Sequence, residues 1–490
     1  MGLKESGLTG TLLLTVSMTC FGSSFILGYN GGVLNLPSEN VKRFIAGHVS
    51  NTPDDLSQDE ENKVWVMVAF SNAAWVIGGA IGAFSCGWLA DGFGRRNSLL
   101  INHFIAFVGA IISAASLKHY AVLFLGRFIL GLNCGVTIGV ASMYLMEIAP
   151  ISYRGSIGAC HQLAVTIGIF ISYVVTLPSL LNNGGRWPWG IAVGEVPAVA
   201  SLIILPFCPE SPRFLLLSKK NEEAAKKAFE RFNAKDDVNT FISEVKAEVA
   251  AAESQPKFQF GQLFTEKDLR MAVLIACLVQ VLQQLSGINA VITYSSLMFK
   301  AAGVHEDVMP YCVCGIGLFN VILTIISLPL LDRAGRRTLL LWPTVLMAIS
   351  LVVLTFTVNL EETFKDQEVW NSVLSIASIV FIFVYICGFA LGLGPIPAMI
   401  VAEIFRQGPR AAAYSLSQAL QWLSNLLVLL TYPSLNLMIG GYSFIPFLIV
   451  VVVCWVFFFL YMPETKNRTF DEIAQDLTSG KVVVGRQAQS

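Results

Sequence analysis

The chain is poor in charge. Only 13% of its 490 residues are Asp, Glu, Lys or Arg, against 54% hydrophobic, a balance that excludes a soluble globular protein. A net charge of -1 gives no footing for a nucleic acid, and no nucleic-acid partner is expected. A disulfide framework is also missing, because the 10 cysteines lie in or beside apolar segments. Cys312 and Cys314, the nearest pair, point apart on a helix, so the cysteines read as packing residues and no metal site is expected. No cleavable signal peptide is expected either: the first apolar stretch, Leu8 to Val33, is too long and ends in Gly-Tyr-Asn-Gly-Gly. No nucleophile–base pair or metal cluster supports an enzyme, and no cofactor is implied. Asn51-Thr52-Pro53 fails as a glycosylation sequon; Asn467-Arg468-Thr469 fits by pattern but falls on the cytoplasmic side.

What is abundant is the long apolar run. Twelve stretches read as membrane-spanning helices, at 8–33, 64–86, 97–117, 119–146, 156–178, 187–207, 271–299, 308–331, 338–359, 372–400, 411–438 and 442–462. The expected organisation is an N-terminal six-helix bundle (1–208), a cytoplasmic helical linker (209–270), a C-terminal six-helix bundle (271–462) and a cytoplasmic tail (463–490). In the linker, Asn221 to Ala251 is rich in Ala, Glu and Lys at helical spacing and predicts short amphipathic helices. Lys and Arg concentrate in the loops on the side of the termini, which places both termini in the cytoplasm.

The halves repeat one another. Asp91-Gly92-Phe93-Gly94-Arg95-Arg96 returns as Asp332-Arg333-Ala334-Gly335-Arg336-Arg337, and Glu147 with Arg154 returns as Glu403 with Arg410. Pro209-Glu210-Ser211-Pro212-Arg213 has its echo in Pro463-Glu464-Thr465-Lys466. Each motif follows the second, fourth or sixth span of its half, so the halves are duplicates in parallel orientation. That is the plan of the major facilitator fold, an all-α membrane protein.

One apolar segment carries an unusual polar load. Met271 to Phe299 contains no Asp, Glu, Lys or Arg, yet holds Gln283, Gln284, Ser286, Gly287, Asn289, Thr293 and Tyr294. Lipid cannot satisfy these groups, so they face a cavity or a neighbouring helix. On one continuous helix Gln283, Gln284 and Asn289 share a face, with Gly287 allowing close approach. Carboxamides donate and accept together, as a polyol does; the alternative is amide glue between helices.

Taken in order, these motifs, together with Gly126-Arg127 and Gly394-Pro395-Ile396-Pro397, resemble the sugar porters, and among them the facilitative hexose transporters called the GLUT family. The resemblance covers nearly the whole chain. It implies a hexose substrate, a plasma-membrane location and transport by alternating access. It also implies a substrate site made of Gln162, Gln283, Gln284, Asn289, Asn320 and Asn425, with Trp422 stacking on the ring and Phe389 lining the tenth span. For Gln162 and Asn320 the helix-glue alternative stays open. Each of these side chains is neutral and hydrogen-bonding or aromatic, as an uncharged ring requires. At the cytoplasmic helix ends the resemblance implies salt-bridge networks that hold the two halves together. These involve Arg95, Arg96, Glu147, Arg154, Glu210, Arg213, Asp332, Arg333, Arg336, Arg337, Glu403, Arg410 and Glu464. Positive-inside bias and helix capping account for the arginines but leave the matched acids unexplained. The prolines of Gly394-Pro395-Ile396-Pro397 are expected to kink the tenth span.

Proton-coupled members resemble one another in an Asp after Gly-Tyr on the first span; here Gly28-Tyr29 is followed by Asn30, which implies a uniporter. Arg127, inside the fourth span, needs a polar partner, expected around Asn30. Glu195, inside the sixth span, argues for proton coupling or for a partner to Arg127. Ala398 stands where glucose-selective relatives have Trp, Gln280-Val281-Leu282 replaces their Gln-Leu-Ser, and Thr293 replaces a Tyr. Glucose, with fructose beside it, is the expected substrate. A fructose-preferring uniporter, a proton symporter using Glu195 and a non-transporting sugar sensor are the alternatives. The sequence leaves the oligomeric state open.

Overall fold

The computed structural model describes residues 8–50, 57–150, 153–233, 237–253, 258–364, 367–466, 468 and 470–478. Both sequon asparagines and the tail from 479 lie outside them. The described chain is nearly all helix, with one isolated bridge between Leu8 and Asn233.

Eleven helical runs are long and apolar enough to cross a membrane. The last, Ala412–Tyr461, is 50 residues long. At ~1.5 Å per residue that is more than twice the ~30 Å of a bilayer core. It is broken at Gly440, with φ 54°, and a 3₁₀ turn over Gly440–Phe444 precedes the final helix Ile445–Tyr461. Those are two crossings, which completes the expected twelve; the chain is a multi-pass membrane protein.

The chain forms two compact units, residues 1–57 with 70–256, and residues 58–69 with 257–490. The linker helices Glu222–Phe232 and Val238–Glu253 therefore fold with the first unit. Phe232 explains why: it is fully buried in the core cluster that holds Leu12, Tyr144 and Leu145. Phe229 stacks on Phe241 at 4.5 Å between ring centres, joining the two linker helices. Lys226 and Lys246 both reach Glu222, at 3.1 and 2.7 Å, and hold its carboxyl below the usual range.

The second span, Gln58–Phe93, begins before its apolar core. Asp59, Glu60 and Glu61 fill its first turn, where the helix dipole favours acids. An unforeseen amphipathic helix, Ser38–Val49, occupies the loop between the first and second spans.

Four spans are interrupted among the described residues, one of them the sixth, which turns at Gly194 and Glu195 between the helices Trp187–Val193 and Val196–Ile204. The first runs through a π-helical turn at Cys20–Ser24. The tenth passes from Glu368–Gly388 into a π-turn at Phe389–Leu393 and resumes as Ile396–Ile404, the bend expected from its prolines. The seventh departs from the expectation of one helix over 271–299: Lys267–Leu285 ends, Gly287 adopts a left-handed φ of 96°, and Ile288–Ala301 begins. Only glycine visits that region freely, and here a Cβ would also meet the Phe447 ring at 2.9 Å.

Candidate functional site in the second bundle

At the seventh-span break the carboxamides bind one another. Asn289, at the start of the second helix segment, donates through Nδ2 to Oε1 of Gln284, the last full turn of the first segment. Gln284 Nε2 donates to Gln283 Oε1 at 3.2 Å, and Gln283 Nε2 donates to the carbonyls of Leu393 and Gly394 at 2.7 and 3.2 Å. So Gln283, Gln284 and Asn289 are brought together across the break and joined to the broken tenth span. Tyr385 adds a second tie, its hydroxyl donating to the carbonyl of Ser286 at 2.9 Å.

Gln421, on the eleventh span Gln407–Ile439, also donates to Gln283 Oε1, at 3.0 Å. The sequence reading passed over it. The available signal was its position one turn before Asn425 and beside Trp422.

Trp422 and Asn425 are buried, and neither Trp422 Nε1 nor Asn425 Oδ1 has a hydrogen-bond partner among the described residues. Gln280 Oε1, one turn before the amide pair, is in the same condition. A buried polar atom without a partner costs about 1–3 kcal/mol, so each marks a place where a hydrogen-bonding ligand gains more than at the surface. Asn320 is buried on the eighth span, and its carbonyl accepts from Thr324 at 2.8 Å. Phe389 opens the tenth-span π-turn, its carbonyl accepting the Gly394 amide at 2.8 Å. Ala398 is exposed on the helix that follows. Gln162 belongs to the first unit, half-buried on the fifth span, next to His161, which meets Ser24 Oγ at 2.6 Å.

Asn30 is the centre of a buried polar group in the first unit. Its Nδ2 donates to Glu195 Oε1 at 2.7 Å, and its carbonyl accepts from Arg127 Nη1 at 3.0 Å. Arg127 also donates to Asn72 Oδ1 at 3.4 Å and lies 5.5 Å from the Trp75 ring centre. Arg127 thus finds its partner at Asn30, as expected, and Asn30 in turn links it to Glu195.

The ends of the second, fourth and sixth spans, and of their counterparts in the second half, carry the same knot twice. In the first half, Arg95 Nε and Nη2 bind Glu147 Oε1 at 3.1 and 3.0 Å, and Ser211 Oγ donates to Glu147 Oε2. Glu210 accepts the backbone N–H groups of Arg95 and Arg96, both at 2.9 Å. In the second half, Arg336 Nε and Nη2 bind Glu403 Oε1, both at 3.0 Å, and Thr465 Oγ1 donates to Glu403 Oε2 at 2.5 Å. Glu464 accepts the backbone N–H groups of Arg336 and Arg337 at 2.7 and 3.2 Å. Arg96 and Arg337 each reach a carbonyl at the end of the sixth or twelfth span, Cys208 at 2.9 Å and Phe459 at 2.7 Å.

Two of the acids also have a local role. Glu210 and Glu464 do cap helices: each carboxylate neutralises free amides at the N-terminus of the third or ninth span. A Cβ on Gly94 would lie 2.5 Å from Glu210 Oε2, and one on Gly335 2.1 Å from Glu464 Oε2, so glycine precedes both arginine pairs to admit the carboxylate. The bonds described for both knots close within one half. Of the other expected gate residues, Arg410 donates to the Phe405 carbonyl at 3.1 and 3.0 Å, the Arg333 carbonyl accepts from Lys466 at 2.8 Å, and Arg213 is half-buried on Pro212–Leu217. The side chains of Arg154 and Asp332 lie outside the described residues.

A family model described as sugar (and other) transporter matches residues 15–477. The solute carrier family 2 facilitated glucose transporter member 3 of Ovis aries is 38% identical over 485 residues, 98% of this chain and 95% of that protein. Member 1 from Gallus gallus is 38% identical over 482 residues, 97% of this chain and 96% of that protein. The partially occluded, inward-open xylose transporter XylE from E. coli matches with a TM-score of 0.75 at 24% identity, covering 94% of this chain and 100% of that one, a likeness of fold. With twelve spans, duplicated arginine–carboxylate knots and a match along nearly its full length, the chain belongs to the sugar transporter family and has the major facilitator fold.

Proposed function

We propose that the protein is a facilitative uniporter for hexoses, chiefly D-glucose with fructose as a second substrate, working by alternating access in the plasma membrane with both termini cytoplasmic. The observation that carries this reading is the carboxamide set around the seventh-span break. Gln283, Gln284 and Asn289 are neutral, buried or half-buried, and ordered by their neighbours, while Trp422 and Asn425 hold polar atoms with no hydrogen-bond partner among the described residues. An uncharged ring with several hydroxyls is the ligand that such a site discriminates best, because a missing hydroxyl strands a buried amide. Relatives named as facilitated glucose transporters support the substrate class. Asn320, Phe389 and Gln162 complete the proposed contacts. The arginine–carboxylate knots keep the cytoplasmic ends of each bundle rigid, so that the bundles move as bodies while Arg154, Arg213, Asp332, Arg333 and Arg410 complete the inner gate.

A second reading, proton-coupled transport, has one observation in its favour: Glu195 is buried within a span, and its Oε2 has no partner among the described residues. Asn30 weighs against it, because an amide cannot exchange a proton with Arg127 or Glu195. One experiment separates the two. Purified protein in proteoliposomes should take up labelled D-glucose saturably until inside and outside are equal, with or without an imposed pH gradient, and excess fructose should compete. Accumulation above equilibrium driven by an inward proton gradient would replace the uniport reading with symport. Absence of any glucose or fructose uptake would remove the transport assignment.

A further inference from the structure

Helix Ser38–Val49 is fastened to the first bundle at three points. Asn40 Nδ2 donates to Asn182 Oδ1 at 2.6 Å, in the loop between the fifth and sixth spans. Phe44 meets Trp187, the first residue of the sixth-span helix, at 5.7 Å between ring centres. Near the end of the helix His48 meets His119 at 5.5 Å, with the rings at 76°, and Tyr120 at 6.1 Å. The first two points contain no group that titrates near neutrality. The third is built on two histidines, and histidine ordinarily changes charge between about pH 5 and 8.

Backbone groups fix the hydrogen on each neutral ring. His48 Nδ1 lies 2.9 Å from the Phe44 carbonyl, which only accepts, so Nδ1 carries the hydrogen and Nε2 is bare. His119 is the opposite case. Its Nδ1 accepts the Ala121 N–H at 3.1 Å and caps the fourth-span helix Tyr120–Ile148, so its hydrogen sits on Nε2. Acid therefore acts unequally on the two. A proton taken up by His48 goes to Nε2 and leaves the Phe44 bond intact. A proton taken up by His119 goes to Nδ1, where it faces the Ala121 N–H, and the cap is lost. The new charge also stands at a helix N-terminus, where the dipole opposes it, and close to a second charged ring.

The surroundings do not offset this. The charged residues on the elements packed there are Lys118 in the 3₁₀ turn Ala115–Lys118, Arg186 before the sixth span, and Glu39, Lys42 and Arg43 on the helix itself. The facing turns of the third, fourth and sixth spans bring no other charge. Tyr120, at 4.3 Å from His119, stacks on either form of the ring and keeps it in place without restoring the cap.

We propose that the His48–His119 contact is an acid-sensitive joint. Neutral, it seats helix Ser38–Val49 on the fourth span; charged, it releases that end of the helix and slows transport. The helix follows the first span through a turn whose Leu36 carbonyl accepts from Asn182 at 3.1 Å. A loosened helix thus loosens the ends of spans that must move as one body. In the orientation proposed above this end faces outside, so the joint reads external pH and works apart from the buried Glu195. The slowing rests on the transport reading; the release does not.

The test is hydrogen exchange of the purified protein at about pH 7.5 and about pH 5.5, corrected for the pH dependence of the exchange chemistry. Peptides from residues 38–49 and from the start of the fourth span should exchange about fivefold faster in acid, the effect of one lost N-cap bond. The linker helix Glu222–Phe232 should not change. His119→Asn supplies a cap acceptor that takes no proton and should exchange slowly at both pH values. His48→Phe keeps a ring without the charge and should show a smaller acid effect. In proteoliposomes the initial rate of D-glucose uptake should fall in external acid for the parent and not for His119→Asn, with the same final level. Four results overturn the proposal: no acid effect on exchange, an effect that survives in His119→Asn or is undiminished in His48→Phe, faster exchange spread evenly over the first unit, or an uptake rate indifferent to pH when exchange responds. A protein that takes up no sugar would instead strike the transport reading, and the exchange results would still decide whether the joint releases.

Discussion

Asn425 carries an amide into the apolar interior of the eleventh span and leaves its Oδ1 without a partner among the described residues. A side chain kept for packing alone would be better as leucine, since a buried acceptor without a donor costs about 1–3 kcal/mol. The same atom is useful if a hydroxyl arrives during transport. Stability and function therefore make opposite demands on this residue. Asn425→Leu is expected to leave the thermal midpoint of the detergent-purified protein unchanged or higher, while D-glucose KM rises about fivefold, one such bond. A lower midpoint with normal KM would make Asn425 a structural residue and remove it from the site. Asn30 shows the contrasting case, an amide whose side-chain nitrogen binds Glu195 and whose carbonyl receives Arg127. Its bond to Arg127 was foreseeable because a buried arginine in a span demands a partner, whereas its bond to Glu195 was not. Gln421 was not foreseeable in the same way: nothing in its local sequence says that its partner lies on the seventh span.

At the scale of the elements, the breaks decide where the polar groups go. The tenth-span bend was legible in Gly394-Pro395-Ile396-Pro397, because proline removes donors wherever it falls. The seventh-span break was not, because a single glycine in an apolar run also serves close helix packing and its φ is set by what surrounds it. The π-turn at Cys20–Ser24 left no sequence sign at all, having neither proline nor a charged residue. Yet the seventh-span break has more effect on the site than any of the others. By ending one helix at Leu285 and restarting at Ile288, it lets Asn289 reach back to Gln284. Gly287→Ala tests this directly. The left-handed φ costs a residue with a Cβ about 1–2 kcal/mol, and the methyl meets Phe447 as well. The expected result is a thermal midpoint several degrees lower and uptake reduced at all sugar concentrations. Normal uptake from a stable Gly287→Ala protein would mean that the break is dispensable and that Gln283, Gln284 and Asn289 work from a continuous helix.

Over the whole molecule, the duplication in the sequence is reproduced group for group in chemistry. Arg95, Glu147, Glu210 and Ser211 have counterparts in Arg336, Glu403, Glu464 and Thr465, with hydroxyl, carboxylate and backbone amide in the same roles. The sequence made the pairs visible, since the motifs repeat in order. It could not say whether each acid meets an arginine of its own half or of the other, because both choices satisfy the same spacing. The geometry supplies a reason for the acids that needs no second half: Glu210 and Glu464 cap helix N-termini, while Glu147 and Glu403 hold Arg95 and Arg336. Arg95 and Glu147 have side chains only 12% and 14% exposed, so the pair is shielded enough for removal of one partner to be costly. If each knot serves its own bundle, damage to the two should add. Glu210→Ala and Glu464→Ala should each lower the thermal midpoint and the uptake rate, and the double variant should show the sum of the two free-energy losses, as sites without shared partners do. A double loss far from that sum would mean that the knots bear load together, as a network tying the halves would. The measurement is a thermal midpoint and an initial rate for four proteins: the parent, each single variant and the double.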